Sequence, residues 1–224
     1  MKRSEINHSI MAAKEFFSER NLTLPFWAHW SPEEWAHHEK DMSEVMELGL
    51  GWDVTDFGSG DLSKIGRTIF TLRNGRGNQQ HPKNYAHKIM HMPEGQKSII
   101  HYHRSKMEDI CNRGGGNILV SLWPVAEDGS PSNESIISSL SGQKIKVKGG
   151  EPVRITPGNW ICIEPYTYHQ FWAEGGEGEV LSEEISSVCN DYTDNVFWPE
   201  GERFPAINDD DTPLHLLCGE YHRL

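Results

Sequence analysis

The chain has 224 residues, of which 36% are hydrophobic and 24% charged, and this composition predicts one soluble globular domain. The formal charge of −12, from 21 basic and 33 acidic residues, argues against nucleic acid and anionic membranes as partners. The amino-terminal MKRSEINHSI lacks the apolar segment of a signal peptide, and no stretch is long enough to span a membrane, so we predict a cytoplasmic protein.

Two helices are predicted before the first strand. The first covers residues 4–20, where apolar side chains recur with helical spacing. The second starts at Ser31, with Pro32 and Glu34 in the positions of a capped helix, and is expected to run to about Leu48. The aromatic residues between the two helices need a covering surface, which is either the outside of a β-barrel or a partner subunit. We therefore also predict a homodimer.

From about residue 58 the pattern changes to short strands separated by turns. The predicted strands cover residues 67–73, 85–92, 99–103, 108–112, 118–125, 143–148, 153–156, 160–163, 168–172, 179–187 and 214–217, with a polar loop over 127–141. About ten strands with few helices and no internal repeat predict a mainly β, closed or double-sheet domain. We expect a single domain over 1–224, with a helical arm over 1–57 and the β-domain over 58–224.

The most informative stretch is GQKSIIHYHRSKMEDICNRGG, residues 95–115. Alternate side chains of a strand share a face, so His101 and His103 point the same way. A short loop then brings Glu108 back towards them. Two imidazoles and a carboxylate predict three ligands of a divalent metal site.

The spacing of this stretch resembles the first motif of the cupin superfamily: Gly, five residues, His, one residue, His, four residues, Glu, six residues, Gly. The segment PGNWICIEPYTYHQFW, residues 157–172, resembles the second cupin motif. The resemblance implies a jelly-roll-like β-barrel and a fourth metal ligand, His169.

Four ligands of an octahedral ion leave two neighbouring positions open, which suits a substrate with two adjacent oxygens. The mixed nitrogen and oxygen set accommodates Mn²⁺, Fe²⁺, Co²⁺, Ni²⁺ or Zn²⁺. Lys106 lies two residues before Glu108, and a cation nearby would lower its pKa and make it a candidate proton shuttle; a solvated surface lysine is the alternative. Alternation along residues 179–188 points one of Glu183 and Glu184 inwards without deciding which.

Five segments together resemble the D-lyxose isomerase family, whose members are sugar isomerases built on the cupin barrel. They are HYHRSKMEDICNRGGGN (101–117), YHQFWAE (168–174), EIS (184–186), NDYTDN (190–195) and ERFP (202–205). The resemblance implies one divalent ion per subunit, commonly Mn²⁺, and interconversion of a free aldose with its 2-ketose. The implied pairs are D-lyxose with D-xylulose and D-mannose with D-fructose. The implied metal ligands are His101, His103, Glu108 and His169, and the implied pocket residues are Lys88, Lys106, Glu184, Asp194 and Arg203.

An ion that holds both sugar oxygens favours proton transfer through a cis-enediol, with Glu184 as the carbon base and Lys106 moving protons between the oxygens. A metal-assisted hydride shift is the competing route. Lys88, Asp194 and Arg203 are expected to contact the sugar or to hold the acids. Phe171 and Trp172 point to opposite faces of the His169 strand, and Phe171 is our candidate for stacking on the sugar.

Three other functions fit parts of this pattern. An iron-dependent cupin dioxygenase would use a similar ligand set but consume O₂, and a non-catalytic sugar-binding cupin would show no turnover. A phosphosugar isomerase would need a basic phosphate cradle, which the sequence does not show.

Overall fold

The computed structural model describes residues 1–223, so residue 224, the last of the predicted domain, lies outside it. The helices are α1 (Arg3–Glu19), α2 (Pro32–His38) and α3 (Ser43–Glu47). The strands are β1 (Gly51–Thr55), β2 (Arg67–Arg73), β3 (Tyr85–Met92), β4 (Ile100–His103), β5 (Glu108–Gly115), β6 (Ile118–Pro124), β7 (Ser135–Leu140), β8 (Gln143–Lys148), β9 (Pro152–Ile155), β10 (Trp160–Ile163), β11 (Thr167–Ala173), β12 (Val180–Ser187) and β13 (Asn195–Trp198). None of the helices in the described part of the chain has both the length and the apolar character needed to cross a membrane.

The strands form two antiparallel sheets. The larger has the order β1-β2-β3-β12-β5-β10-β7-β8 and the smaller β13-β4-β11-β6-β9. Buried side chains of both sheets, such as Met90 and Ile110 from the larger and Val120 and Phe171 from the smaller, meet in one apolar core. The predicted mainly β, jelly-roll-like fold is confirmed, with two facing sheets in place of a closed barrel.

A second apolar core lies on the outer face of the larger sheet. Trp27 stacks on Phe70 with ring centroids 5.2 Å apart, and Trp35 is 2% exposed. Helix α1 contributes Ile6, Ile10 and Phe17 to the same cluster. The amino-terminal aromatic residues therefore cover the sheet of their own chain, which fixes the helices behind the strands that carry the site.

The second predicted helix is broken into α2, a 3₁₀ turn over Glu39–Met42, and α3. Trp35 and Val45 both face the core. Val45 follows Trp35 by ten residues. In a continuous α-helix, at roughly 100° per residue, the two side chains would point about 80° apart around the helix axis. Four residues at about 120° in the 3₁₀ turn restore that angle. The break thus lets both side chains face the same core.

The structure also differs from the predicted strands. Three strands were not predicted: β1 falls in the expected helical arm, β7 in the expected polar loop, and β13 between the strands expected over 179–187 and 214–217. The strand expected over 214–217 is absent from the described residues, since only Leu217 bridges to Trp52 there. Short strands of this kind are fixed by the partner with which they pair, and the local pattern does not contain that information.

Two strand registers bring the predicted site together. In the smaller sheet His169 of β11 lies opposite His101 of β4. In the larger sheet β12 runs between β3 and β5, with Glu184 opposite Lys88 on one side and Ile110 on the other. Because the two sheets face each other, these side chains point into the same interior space.

Candidate metal centre and active site

The imidazoles of His101, His103 and His169 converge at the open end of the interior. Their candidate ligand nitrogens all lie within 4.8 Å of one another. Nδ1 of His101 lies 2.9 Å from the carbonyl oxygen of Ile99, and Nδ1 of His169 lies 3.0 Å from that of Thr167. A carbonyl only accepts, so Nδ1 donates in both rings and Nε2 keeps a free lone pair.

Glu108 lies beside this cluster. Its Oε1 lies 2.9 Å from Nε2 of His169 and 3.6 Å from Nε2 of His103. All three atoms are buried without a hydrogen-bond partner among the described residues. Buried polar atoms without partners are rare, and three that meet at one point fit the ligands of a cation. The residues present therefore fit a divalent metal ion.

The protonation states of the cluster also suit a cation. Burial and the neighbouring imidazoles of His169 and His103 hold the pKa of His101 well below its usual value. Burial and the ammonium group of Lys106 lower the pKa of His103. Burial raises the pKa of Glu108, but Lys106, His103 and His169 together outweigh it and hold that pKa well below the usual value. Neutral imidazoles and an ionised carboxylate are the forms that bind metals.

Lys106 links the cluster to a second carboxylate. Its Nζ lies 2.6 Å from Oε2 of Glu108 and 2.6 Å from Oε1 of Glu184, and the side chain is 3% exposed. The lowering of its pKa that a bound cation would cause stays a prediction. Burial lowers the pKa of Lys106, but the carboxylates of Glu108 and Glu184 raise it by more. The ammonium group therefore stays protonated beside the ligands and can donate.

The structure resolves the alternatives at positions 183 and 184. Glu184 is buried in the interior, and Ser186 donates to its Oε1 over 3.3 Å. Glu183 points to the outer face of the sheet, where it lies near His87 and Arg113. Only Glu184 therefore faces the histidine cluster.

Oppositely charged side chains continue from Glu184 across the cavity. Lys88 Nζ lies 3.7 Å from Glu184 and 3.5 Å from Asp191, and Arg203 lies 2.9 Å from Asp191 and also pairs with Asp53. Burial raises the pKa of Asp191, but Arg203 and Lys88 hold it well below its usual value. Each side chain in this network of ion pairs holds its neighbour in position. Lys88 and Arg203 are therefore held in place before a ligand enters.

Asp194 lies behind the cluster, outside the residues that line the cavity. It accepts hydrogen bonds from the Ser105 and Lys106 amides over 2.8 and 3.1 Å, and from the Ser105 hydroxyl over 2.6 Å. Its Oδ2 is 3.8 Å from Nδ1 of His103. The sequence placed Asp194 in the pocket, and its hydrogen bonds indicate a residue that positions Ser105 and Lys106.

We expect Asp194→Ala to lower kcat/KM about 10–100-fold, as is typical when a partner behind a metal ligand is lost. The loop from residue 104 to 106 loses three hydrogen bonds, so Lys106 is less well placed. Steady-state kinetics and Mn²⁺ titration measure the effect, and Asp194→Asn should restore part of the activity. Asp210→Ala is the matched control, since Asp210 caps Ser4 with the same amide and hydroxyl contacts away from the site. Activity of Asp194→Ala within twofold of the wild type would contradict this positioning role.

A cavity lies in front of the cluster. Of the predicted site residues it is lined by His101, His103, Glu108, Lys106, Glu184, Lys88, Arg203 and Phe171. His169 lies beneath it and is fully buried. Phe171, the predicted stacking residue, therefore lies at the cavity, and Trp172 points to the other face of β11.

The sequence missed other lining residues, among them Asp191, Arg67 and Phe57. Asp191 lies within the same NDYTDN segment as Asp194, so the segment was recognised and the wrong member chosen as the lining residue. The residues around Arg67 do not mark it as functional, because the local pattern is that of an ordinary strand that begins at Arg67. Only the facing of the two sheets brings it to the cavity.

Comparison with known proteins gives one consistent result. The model of the D-lyxose isomerase family matches residues 1–221. The D-lyxose/D-mannose isomerases of Escherichia coli O157:H7 and Serratia proteamaculans are each 41% identical over 225 residues, covering 100% of this chain and 99% of theirs. The solved L-ribose isomerase of Cellulomonas parahominis shares the fold, with 14% identity, a TM-score of 0.63, and coverage of 93% of this chain and 98% of that one.

Proposed function

The chain belongs to the D-lyxose isomerase family and is a sugar isomerase, and on that premise we propose that it interconverts D-lyxose with D-xylulose and D-mannose with D-fructose. The observation that carries the proposal is Lys106, which joins Glu108 of the metal cluster to Glu184 in one cavity. Moving a proton between two carbons and another between two oxygens needs a carbon base and an oxygen proton donor side by side. Glu184 and Lys106 provide that pair.

We propose that His101, His103, His169 and Glu108 hold one divalent ion per subunit, with Mn²⁺ as the first choice and Zn²⁺, Co²⁺, Fe²⁺ and Ni²⁺ as alternatives. A bound ion at this position would supply Lewis-acid polarisation of a sugar carbonyl and a negative-charge sink for its neighbouring oxygen. The carboxylate of Glu108 contributes charge neutralisation, and the neutral imidazoles contribute nitrogen donors.

In the direction from aldose to ketose, Glu184 takes the proton from C2 and returns it to C1. The O2 hydroxyl loses its proton and O1 gains one, so the product carries its carbonyl at C2. Lys106 fits the second transfer: its ammonium group gives a proton to O1 and takes back the proton that O2 releases. The group lies 2.6 Å from Glu184 and is held protonated by two carboxylates. The species between the two transfers is a cis-enediol, whose double bond keeps O1 and O2 on one side of the molecule.

The remaining polar groups fit recognition of the sugar hydroxyls. Lys88 and Arg203 are proposed to donate to hydroxyls, and one guanidinium nitrogen of Arg203, Nη1, is buried without a partner among the described residues. Phe171 offers an apolar face to the sugar carbons. Asp194 is proposed to act through Ser105 and Lys106.

We propose that the protein works as a cytoplasmic homodimer. All four cysteines are free thiols, as suits a reducing compartment. Phe26 remains 68% exposed although its neighbours Trp27 and Trp35 are buried, so this part of the arm offers an apolar surface for a second copy. Light scattering coupled to size exclusion measures the mass, and a monomer of 25.5 kDa would contradict the dimer.

Removal and replacement of the ion tests the proposed activity. We expect chelation to abolish ketose formation from D-lyxose and D-mannose, and Mn²⁺ to restore it without O₂. Product analysis of a panel of free pentoses and hexoses after add-back of each candidate ion is the measurement. Oxygen consumption with Fe²⁺ would indicate a dioxygenase instead, and sugar binding without turnover with every ion would indicate a binding protein.

A further inference from the structure

Arg67 stands apart from the other buried cations of the protein. Its side chain lines the cavity, and the residue is 1% exposed. Arg3, Lys88 and Lys106 are also buried, and each of them lies near two carboxylates. Within residues 1–223 no carboxylate lies within 4.0 Å of the Arg67 guanidinium group, and burial lowers the pKa of Arg67 to about 9. Burying a cation without a carboxylate partner lowers the stability of the folded state. A function at the cavity would explain why Arg67 is buried there.

The guanidinium group of Arg67 is held in one orientation. Nη2 donates to the Phe171 carbonyl over 2.6 Å and Nη1 to the Gln96 carbonyl over 3.4 Å. The group also lies over the Phe171 ring, 4.4 Å from its centroid. Its Nε is buried and has no partner in the described chain. One donor of a residue that lines the cavity is therefore held in place and left unsatisfied.

The position of Arg67 indicates which end of a bound sugar would lie near its guanidinium group. Phe171 lies two residues beyond His169 on β11, which is about 6.6 Å along a strand. A sugar with O1 and O2 at the histidine cluster extends over this distance with its other carbons. The oxygens remote from C1 and C2 then lie beside Phe171 and the guanidinium group above it.

We propose that Arg67 is a specificity-determining residue, whose Nε–H donates to a hydroxyl oxygen of the sugar at the end remote from C1 and C2. This inference rests on the proposed function for the placement of C1 and C2. A donor that is buried and charged favours a substrate that supplies the missing oxygen, and it discriminates against one that leaves the donor unpaired. Arg67 thus makes the site demand a polyhydroxy chain beyond the reacting carbons.

The contact is tested by removing the guanidinium group of Arg67, the hydroxyl group of the sugar, or both. The sugars are D-lyxose, 4-deoxy-D-lyxose and 5-deoxy-D-lyxose, and the variants are Arg67→Met and Arg67→Lys in the Mn²⁺-loaded enzyme. On the wild type, one of the deoxy sugars should show a KM at least about tenfold above that of D-lyxose. Arg67→Met should raise the KM for D-lyxose by a similar factor with kcat within about threefold, and the same deoxy sugar should show no further rise.

Arg20→Met is the matched control, because Arg20 also stacks on an aromatic ring, that of Phe16, and donates to a backbone carbonyl away from the cavity. It should leave all three KM values unchanged. Should Arg67→Met fail to fold, Arg67→Lys takes its place in the comparison. Equal KM values for the three sugars on the wild type, or undiminished discrimination in the variant, would overturn the proposal.

Binding of D-arabinitol, the alditol of D-lyxose, separates this inference from the proposed function. Calorimetry should show at least about tenfold weaker binding to Arg67→Met than to the wild type, whether or not D-lyxose is turned over. Equal binding by the two proteins would overturn the role of Arg67 and leave the isomerase activity untouched. Absence of turnover with intact discrimination in binding would overturn the isomerase activity alone.

Discussion

Glu184→Gln is expected to lower kcat for D-lyxose by about 10²–10⁴-fold, the usual contribution of a positioned general base. Glutamine keeps the shape and the hydrogen bond from Ser186 but cannot take a proton from carbon. KM should stay within a few fold, because the histidine cluster and the shape of the cavity are unchanged. Steady-state kinetics with D-lyxose and D-mannose, together with Mn²⁺ titration, measure both parts.

Glu183→Gln is the matched control for this substitution. Glu183 is the neighbouring residue of the same strand and faces His87 and Arg113 on the opposite side of the sheet. Its replacement should leave kcat within about twofold. A comparable loss in both variants would mean that the defect lies in the strand and not in proton transfer.

Lys106→Met should give a loss of similar size, since Lys106 supplies the proton to the oxygens. The double variant should be much less impaired than the product of the two single losses, because the two residues act as one unit.

Reaction of the wild type in D₂O, followed by NMR, provides the chemical readout. Solvent deuterium at C1 of the ketose is expected from the carbon base. Full kcat in Glu184→Gln with no deuterium incorporated would instead favour the hydride shift.

The sequence was sufficient for those parts of the site that follow from local alternation. His101 and His103 share a face of β4, and Glu108 begins the next strand, so their spacing alone placed them together. The same rule left Glu183 and Glu184 undecided. The face of β12 that turns inwards is fixed by its pairing with Lys88 on β3 and with β5, which the sequence does not reveal.

The parts that could not be predicted are those made by residues far apart in the chain. Arg203 and Asp53 are 150 positions apart, yet they pair at the wall of the cavity. Asp53 lies in β1, a strand that the sequence placed in a helical arm. Arg67 likewise reaches the site only because β2 faces β11 across the core. Long-range ion pairs depend on the packing of two sheets, whereas ligand spacing depends on one strand and a loop.

The proposed metal site predicts the second large effect, which is the loss of Mn²⁺ binding in His169→Ala. His169 is fully buried and contributes an Nε2 without a partner, so its removal leaves two imidazoles and one carboxylate. We expect Mn²⁺ affinity to fall by more than about 100-fold, beyond the 10–100-fold typical of residues behind the ligands. Isomerisation should fall to background, and calorimetry or metal analysis of the purified protein should show less than one ion per chain.

His91→Asn distinguishes a ligand from an ordinary buried histidine. Nε2 of His91 is also buried and lies 3.3 Å from a carboxylate oxygen of Glu179, but its ring lies against Phe16 on the outer face of the larger sheet. An ion that binds only the native protein raises the melting temperature in proportion to the logarithm of its concentration. Mn²⁺ should therefore stabilise the wild type and His91→Asn alike, and should leave His169→Ala unchanged. Stabilisation of all three proteins by the same amount would place the ion elsewhere, because a cluster that lacks one of its three imidazoles cannot retain the full binding free energy.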